Sequence, residues 1–202
     1  MTLPPSPEPA MVEAIRYGWA SDALRHAFAE LQCRVYPEPE SSGAPADVEL
    51  HDPSFDCLSF YICIADRVVS YAAAARKTIM HAGATFEIAG LSCVMTDPVW
   101  QGRGLGLRTV AAATRCMARS NLDIGIFTCD PHLAHFYAQA GKWEVARNVV
   151  VIGSRDERAL RSDILGKVVL MRLFSARAIA AATTLDHATI DLDLDLPVGQ
   201  FL

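Results

Sequence analysis

No apolar run in the chain approaches the roughly 18 residues that a membrane-spanning helix requires, and the opening MTLPPSPEPA has neither a basic start nor an apolar stretch. A membrane span and a secretion signal are therefore not expected, and the expected compartment is the cytoplasm. Paired cysteine motifs are missing too. The six cysteines (33, 57, 63, 93, 116 and 129) are scattered without a Cys-x-x-Cys, so they read as reduced, mostly buried thiols and not as a disulfide framework or a zinc site. No metal site is expected. Basic residues are few and dispersed: with 18 Lys+Arg against 23 Asp+Glu and a net charge of -5, the chain lacks the basic, aromatic-interleaved face of a nucleic-acid binder. An amine suits this charge balance better than an anion. No internal repeat is found.

What is present suffices for one packed domain. Of the 202 residues 51% are hydrophobic and 20% charged, which gives a sizeable core and argues against disorder throughout. Residues 1–10 hold four prolines and read as a flexible lead-in to a single domain over 11–202.

VEAIRYGW (12–19) reads as a first strand. Ser21 is placed to cap a helix over 22–35, where Leu24, Ala27, Phe28, Leu31 and Val35 fall at helical spacing. Residues 37–54 form a loop, either a plain surface connection or a cover over a substrate. SFYICIA (59–65) and VVSYAAAARKTIM (68–80) flank a turn at Asp66-Arg67 and lie too close for a crossover helix, so an antiparallel hairpin is expected. TFEIAGLSCVMT (85–96) is another strand, in which Gly90 marks a bulge or a close approach.

Leu107, Val110, Ala111, Thr114, Met117 and Ala118 predict an amphipathic helix over 105–119. DIGIFTC (123–129) reads as a buried central strand, followed from Pro131 by a helix that stops near Gly141. This order over 91–141 implies parallel pairing of the flanking strands. WEVARNVVVI (143–152) and KVVLMRLF (167–174) read as strands, ARAIAAATTL (176–185) as a short helix, and 189–196 as a half-exposed strand. An edge strand there could pair two chains as a homodimer.

The segment TDPVWQGRGLGLRTV places Gly102, Gly104 and Gly106 between a strand and a helix. A helix start presents unpaired N–H groups and the positive end of the helix dipole, and glycines clear side chains from the approach. A phosphate or pyrophosphate held by backbone donors is one reading, with Arg103 as a nearby cation; a turn without a ligand is the other. A nucleoside triphosphatase loop would end Gly-Lys-Ser/Thr where this chain has Gly-Leu-Arg. A dinucleotide fingerprint would read G-x-G-x-x-G, and the chain reads G-x-G-x-G.

Gln101-Gly102-Arg103-Gly104-Leu105-Gly106 resembles the Q/R-x-x-G-x-G/A signature of the GNAT superfamily, the GCN5-related N-acetyltransferases. LSCVMT before it, the amphipathic helix after it, and HLAHFYAQAGKW (132–143) resemble the family's surrounding segments, over roughly residues 59–152. The resemblance implies an α+β GNAT fold: a mixed central sheet with an antiparallel N-terminal hairpin, splayed parallel central strands and flanking helices. It implies acetyl-CoA, or another acyl-CoA, as cofactor, with the diphosphate on backbone groups of Gly102, Arg103, Gly104, Leu105 and Gly106 and with Gln101 shaping the approach. It also implies that backbone groups of Cys93, Val94 and Met95 pair with the pantetheine arm as an added strand would, one of them polarising the thioester carbonyl.

The implied reaction is direct attack of a substrate amine on the thioester, which requires the amine to be neutral. At pH 7 that costs about 4.6 kcal/mol for a lysine-like amine, so a base or a water chain is expected. Some relatives carry glutamate where this chain has Ser92, which could position a water. Glu87 is a candidate base, although its odd separation from Ser92 sends it to the other strand face unless Gly90 introduces a bulge. His81, His132 and Asp130 are weaker candidates. Tyr137 matches the tyrosine that protonates the departing thiolate, and a core aromatic is its other reading. Cys93 could carry the acyl group in a two-step route, or simply pack. Trp100 covers apolar surface or stacks on adenine. A looser resemblance to aminoglycoside 2'-N-acetyltransferases and rhizobial amino-sugar N-acyltransferases implies a small amine acceptor, an amino sugar for instance, that Asp191, Asp193 and Asp195 could meet. A protein amine is the alternative acceptor, and a non-catalytic acyl-CoA sensor the alternative class.

Overall fold

Ala65 and Asp66 both have positive φ (49° and 59°), the two-residue turn that matches the right-handed twist of a hairpin. It joins β2 (Leu58–Ile64) to β3 (Arg67–His81), antiparallel as expected, with the turn one residue earlier than Asp66-Arg67. β3 pairs antiparallel with β4 (Ala84–Thr96), and β1 (Glu13–Arg16) pairs with β2 on the outer side. The computed structural model describes residues 11–37, 49–51, 55–153 and 159–192. The expected lead-in 1–10, most of the loop 37–54, and Asp193 and Asp195 lie outside them.

β4 is followed by α2 (Leu105–Ala118), and β5 (Ile124–Cys129) then returns parallel to β4. Only Ile88 with Ile124 and Ala89 with Gly125 pair, and beyond them the two strands part. Gly90 marks the divergence: a Cβ there would lie 2.6 Å from the Ile126 carbonyl oxygen. It is thus a close approach. The bulge falls further on, where Ala72 alone opposes both Cys93 and Val94 and Cys93 takes a φ of 50°.

α3 (Ala134–Gly141) precedes β6 (Glu144–Val145), and β7 (Val150–Ile152) follows. β8 (Val168–Leu173) pairs antiparallel with both β5 and β6, which completes a seven-stranded sheet in the order β1-β2-β3-β4-β5-β8-β6. The expected strand over 143–152 is therefore two. A turn at Arg147-Asn148, closed by the Val149 N–H on the Ala146 carbonyl, sends β7 to a separate parallel pair with β9 (Thr189–Asp191). The expected helix over 176–185 is likewise divided, into α4 (Ala176–Ala180) and α5 (Ala182–Leu185).

The sheet is covered on both faces. On one, α2 and α3 close over Ala72, Ala74, Ala89, Leu91 and Phe127. On the other, α1 (Asp22–Val35), capped by Ser21, packs Phe28 and Leu31 on Tyr61, Tyr71 and Ala73, while Leu185 and Ile190 cover Ile88, Ile124 and Ile126. In α2 the buried stripe is Leu105, Thr109, Val110, Ala113, Thr114 and Met117, so the expected inward positions of Leu107, Ala111 and Ala118 are corrected. Thr109 is buried because its hydroxyl bonds the Leu105 carbonyl at 3.0 Å and Ser70 Oγ at 2.9 Å.

Candidate active site

Where β4 and β5 part, a cleft of about 590 Å³ opens through the sheet. Gly90 to Val94 form one wall and Ile126 to Asp130 the other. Leu133 and Tyr137 reach it from the α3 side; Leu50, His51, Phe55 and Lys77 line it with the α1 side.

The bulge disrupts the ladder on the β4 wall: Cys93 and Val94 together oppose the single residue Ala72 of β3, and such a register leaves one extra residue out of the pairing. Met95 differs. Its carbonyl accepts from Ser70 Oγ at 3.3 Å, and two residues on the Asp97 N–H donates to the Val69 carbonyl, so this register turns the peptide groups of Met95 to β3. Met95 is thereby corrected as a cleft-facing donor, while Cys93 and Val94 line the cleft.

The glycine segment lies past the end of β4 and does not line the cleft itself. Gly102 and Gly104 have φ of 73° and 75°, and a Cβ at either would meet nothing within 4 Å, so the loop's outer face is open. Gly104 caps α2 without any side-chain bond to the first-turn N–H groups. Gly106 acts otherwise: it is helical, and a Cβ would come within 2.9 Å of Thr96 Oγ1 and 3.5 Å of Phe136, so it lets α2 settle against β4 and α3. Leu105 is buried below. Gln101 Nε2 donates to the Thr96 carbonyl at 3.1 Å, and the Arg103 guanidinium stacks 4.6 Å from the Trp100 ring, which itself covers Ile62 and Val69. Buried Asp97 anchors the approach by accepting from Arg34 Nε at 2.8 Å, Arg67 at 3.0 Å and the Val99 N–H at 3.1 Å.

Tyr137 is both core and cleft residue. Its ring meets Phe127 edge-on at 5.0 Å, and burial raises its pKa well above the usual phenol value, so the phenol keeps its proton at neutral pH. Ser92 lines the cleft; Glu87 does not, and its carboxylate accepts from Thr78 at 2.8 Å on the exposed surface. With the bulge beyond position 92, Glu87 stays on the opposite strand face from Ser92, and its candidacy as base is corrected on that ground.

His81 is occupied by the Thr184 carbonyl at 2.8 Å outside the cleft, and His132 does not line it. Asp130 does, but Lys167 Nζ sits 2.7 Å away and holds its carboxyl below the usual range, which weakens it as a base. Burial pushes the thiol of Cys93 up and that of Cys129 to about 11, so both are neutral and poor nucleophiles at neutral pH. Asp191 is not among the cleft residues.

One cleft residue has no counterpart among the sequence candidates. His51 is buried, its Nε2 lies 2.7 Å from Tyr71 Oη, and Tyr71 Oη lies 2.7 Å from Ser59 Oγ. A lone histidine in a Pro- and Ser-rich loop gives no periodic signal. Its one pointer is its place in a loop that could cover a substrate.

No protein-family profile matches the sequence, and no curated protein does. Solved structures do. A GNAT family N-acetyltransferase (YhbS) from Escherichia coli in complex with CoA superposes with a TM-score of 0.61 at 13% identity, over 92% of this chain and 92% of that one. The chain has the GNAT fold. A second match, an acyl-CoA N-acyltransferase from Pseudomonas aeruginosa, has a TM-score of 0.53 at 14% identity, over 80% of this chain and 98% of that one. A probable N-acyltransferase from Enterococcus faecalis V583 gives 0.51 at 14% identity over 67% of this chain; the chain spans only 32% of that protein's length. The splayed β4 and β5 of the GNAT fold are thus what opens the cleft. Among the described residues no helix is long and apolar enough to cross a membrane, and no group of three or more His, Cys, Asp and Glu could hold a metal ion.

Proposed function

We propose that the chain is an N-acetyltransferase that moves an acetyl group from acetyl-coenzyme A to the primary amine of a small molecule, with both reactants held together. The observation that carries this is the cleft through the sheet, with the interrupted ladder at Cys93 and Val94 on one wall and Tyr137 among its lining residues. Coenzyme A supplies an activated thioester.

The residues present fit that molecule. The open left-handed turn at Gly102 and Gly104 and the uncapped first turn of α2 offer N–H donors to a diphosphate. Cys93 and Val94 offer backbone groups to the amides of an extended arm, and an N–H there can polarise the thioester carbonyl. Tyr137 delivers its phenolic proton to the departing sulfur, which stops the thiolate from reversing the attack. Holding an amine on the α1 side and the thioester on the α3 side makes a bimolecular encounter nearly unimolecular, an effect that can reach several kcal/mol.

The acceptor wall is mainly apolar, with Leu50, Phe55, Ile88, Ile126 and Leu192 around Lys77 and His51. It supports a small amine with an apolar body, and an amino sugar is the more polar alternative. The test is calorimetric titration with coenzyme A, followed by release of free thiol from acetyl-coenzyme A with phenethylamine, glucosamine and a peptide with a free N-terminal alanine. Turnover of the peptide alone would move the assignment to a protein amine acceptor. Saturable binding without thiol release would make the chain a non-catalytic sensor, and no heat at millimolar coenzyme A would end the proposal.

A further inference from the structure

We propose that His51 is the general base on the acceptor side: its Nδ1 takes the proton of the attacking amine while Tyr71, anchored on Ser59, holds Nε2. The assignment rests on the acyl-transfer function proposed above. Three groups in line carry it. Ser59 and Tyr71 are fully buried, Tyr71 Oη stands 2.7 Å from Ser59 Oγ and 2.7 Å from His51 Nε2, and the imidazole closes the line at the cleft.

The ring is fixed as well as bonded. Tyr17 meets it edge-on at 5.0 Å, and Tyr71 lies alongside with centroids 5.9 Å apart. The adjacent Leu50 is tied down twice, its N–H to Tyr17 Oη at 3.0 Å and its carbonyl to Cys93 Sγ at 3.8 Å. His51 therefore stands beside the bulge at Cys93 and Val94. Nε2 is the ring nitrogen that Tyr71 engages, Nδ1 has no hydrogen bond to another described residue, and His51 lines the cleft.

The titratable surroundings leave the imidazole neutral. Tyr17 faces it from the segment after β1, Tyr71 from β3 with Cys57 near that hydroxyl, and Cys93 from β4; Glu49 precedes it in the chain. Lys77, Tyr36, Asp130 and Lys167 share the cleft lining, and Asp130 is held by Lys167. No carboxylate among the described residues bonds the ring, and burial lowers its pKa to about 4. An uncharged imidazole is a ready proton acceptor at neutral pH. Its weak basicity suffices because the amine proton becomes acidic once nitrogen is bound to the acyl carbon.

Protons and electrons balance. The amine lone pair forms the C–N bond, one N–H proton moves to Nδ1, and the new charge is met by Nε2–H on Tyr71 Oη. The C–S pair leaves on sulfur and takes the Tyr137 proton. Water then removes the proton from His51 and restores one to Tyr137, so the products are the amide and the free thiol.

His51→Gln, His51→Ala and Tyr71→Phe are compared with wild type, using acetyl-coenzyme A and whichever of the three amines above wild type acylates fastest. His51→Gln should lose about 100-fold or more in kcat with coenzyme A affinity unchanged, and added imidazole should restore part of the His51→Ala rate. Tyr71→Phe, which keeps the ring packing, should lose roughly tenfold, because it only orients the base. Long-range 1H–15N NMR, with the His51 signal assigned by its loss in His51→Gln, should show the Nε2–H tautomer in wild type at neutral pH. An Nδ1–H tautomer, or a His51→Gln enzyme within about twofold of wild type, overturns the assignment while leaving acyl transfer standing. A wild-type protein that binds coenzyme A but acylates no amine overturns both.

Discussion

Replacing Gly90 by alanine tests whether the separation of β4 and β5 is built into the backbone. The added Cβ would stand 2.6 Å from the Ile126 carbonyl oxygen and 3.5 Å from Phe127 Cβ. A carbon rests against a carbonyl oxygen at roughly 3.3 Å, so one strand must retreat by about 0.7 Å. The obstacle is main chain, flanked by the Ile88 and Ala89 pairings, and no rotamer change relieves it. Forced overpacking of this sort costs about 1–3 kcal/mol. At about 2–4 °C per kcal/mol for a chain of this size, the melting midpoint should fall by roughly 2–12 °C. The catalytic effect should be larger. Gly90 belongs to one wall of the cleft and closely approaches Ile126 of the other, and a misplacement near 1 Å can cost about 100-fold, so kcat/KM should drop by roughly 10- to 100-fold. Calorimetric melting and steady-state thiol release on the same preparation measure both. A variant that melts within about 1 °C of wild type and turns over normally would refute the claim that contact at Gly90 sets the opening.

Further perturbations separate the parts of the site. Tyr137→Phe should lower kcat by about 100-fold without changing coenzyme A affinity, and since burial raises the tyrosine's pKa, wild type should show no loss from its ionisation below about pH 10. Gly104→Ala adds left-handed backbone strain of about 1–2 kcal/mol and a methyl group on the open face of the loop; calorimetry should show weaker coenzyme A binding, with kcat at saturation kept. The pKa of His51 is about 4 when folded against about 6.5 when unfolded, so the unfolded chain binds the extra proton in that window and stability is lost as pH falls through it. The loss amounts to about 3 kcal/mol by pH 4, and urea unfolding should show that His51→Gln flattens the acid limb by a similar amount.

What could be read from the sequence was what local chemistry dictates. The hairpin follows from two apolar runs with no room between them for a crossover, and the helix after the glycine loop follows from its periodicity. Gly102 and Gly104 do take the left-handed backbone that such residues permit. The helix that carries Tyr137 was legible through Pro131 at its start and Gly141 at its end. The remainder depends on partners distant in sequence. Thr109 is inward-facing because Ser70 answers its hydroxyl, so a helical stripe drawn by apolarity alone slips to Leu107 and Ala111. Cys93 is the bulge residue although Gly90 is the more permissive one, since the close approach of Ile126 occupies Gly90 in another way. Val149 to Ile152 look continuous with Trp143, and only the turn at Arg147-Asn148 with the parallel partner β9 removes them from the main sheet. His51 acquires its position from Tyr17, Tyr71 and Ser59, none of which its own loop reveals.

Tyr137 and His51, the two side chains assigned proton transfers in the proposed reaction, come to the cleft from opposite faces of the sheet. Tyr137 rides on α3 and packs with the core beneath α2, whereas His51 is held by the aromatic cluster beneath α1. A continuous sheet would keep such groups apart. They share a cavity only because β4 and β5 stop pairing after Ala89. A thioester threaded through that gap would present its sulfur to one face and its carbonyl carbon to the other. Donor and acceptor proton transfers could then proceed without the two residues meeting. If the proposed reaction holds, the acceptor would be selected by the α1 face and the donor by the α2 face. Substitutions at Phe55 or Lys77 should therefore change which amine is used while leaving coenzyme A affinity alone, and substitutions at Gly102 or Gly104 should do the reverse.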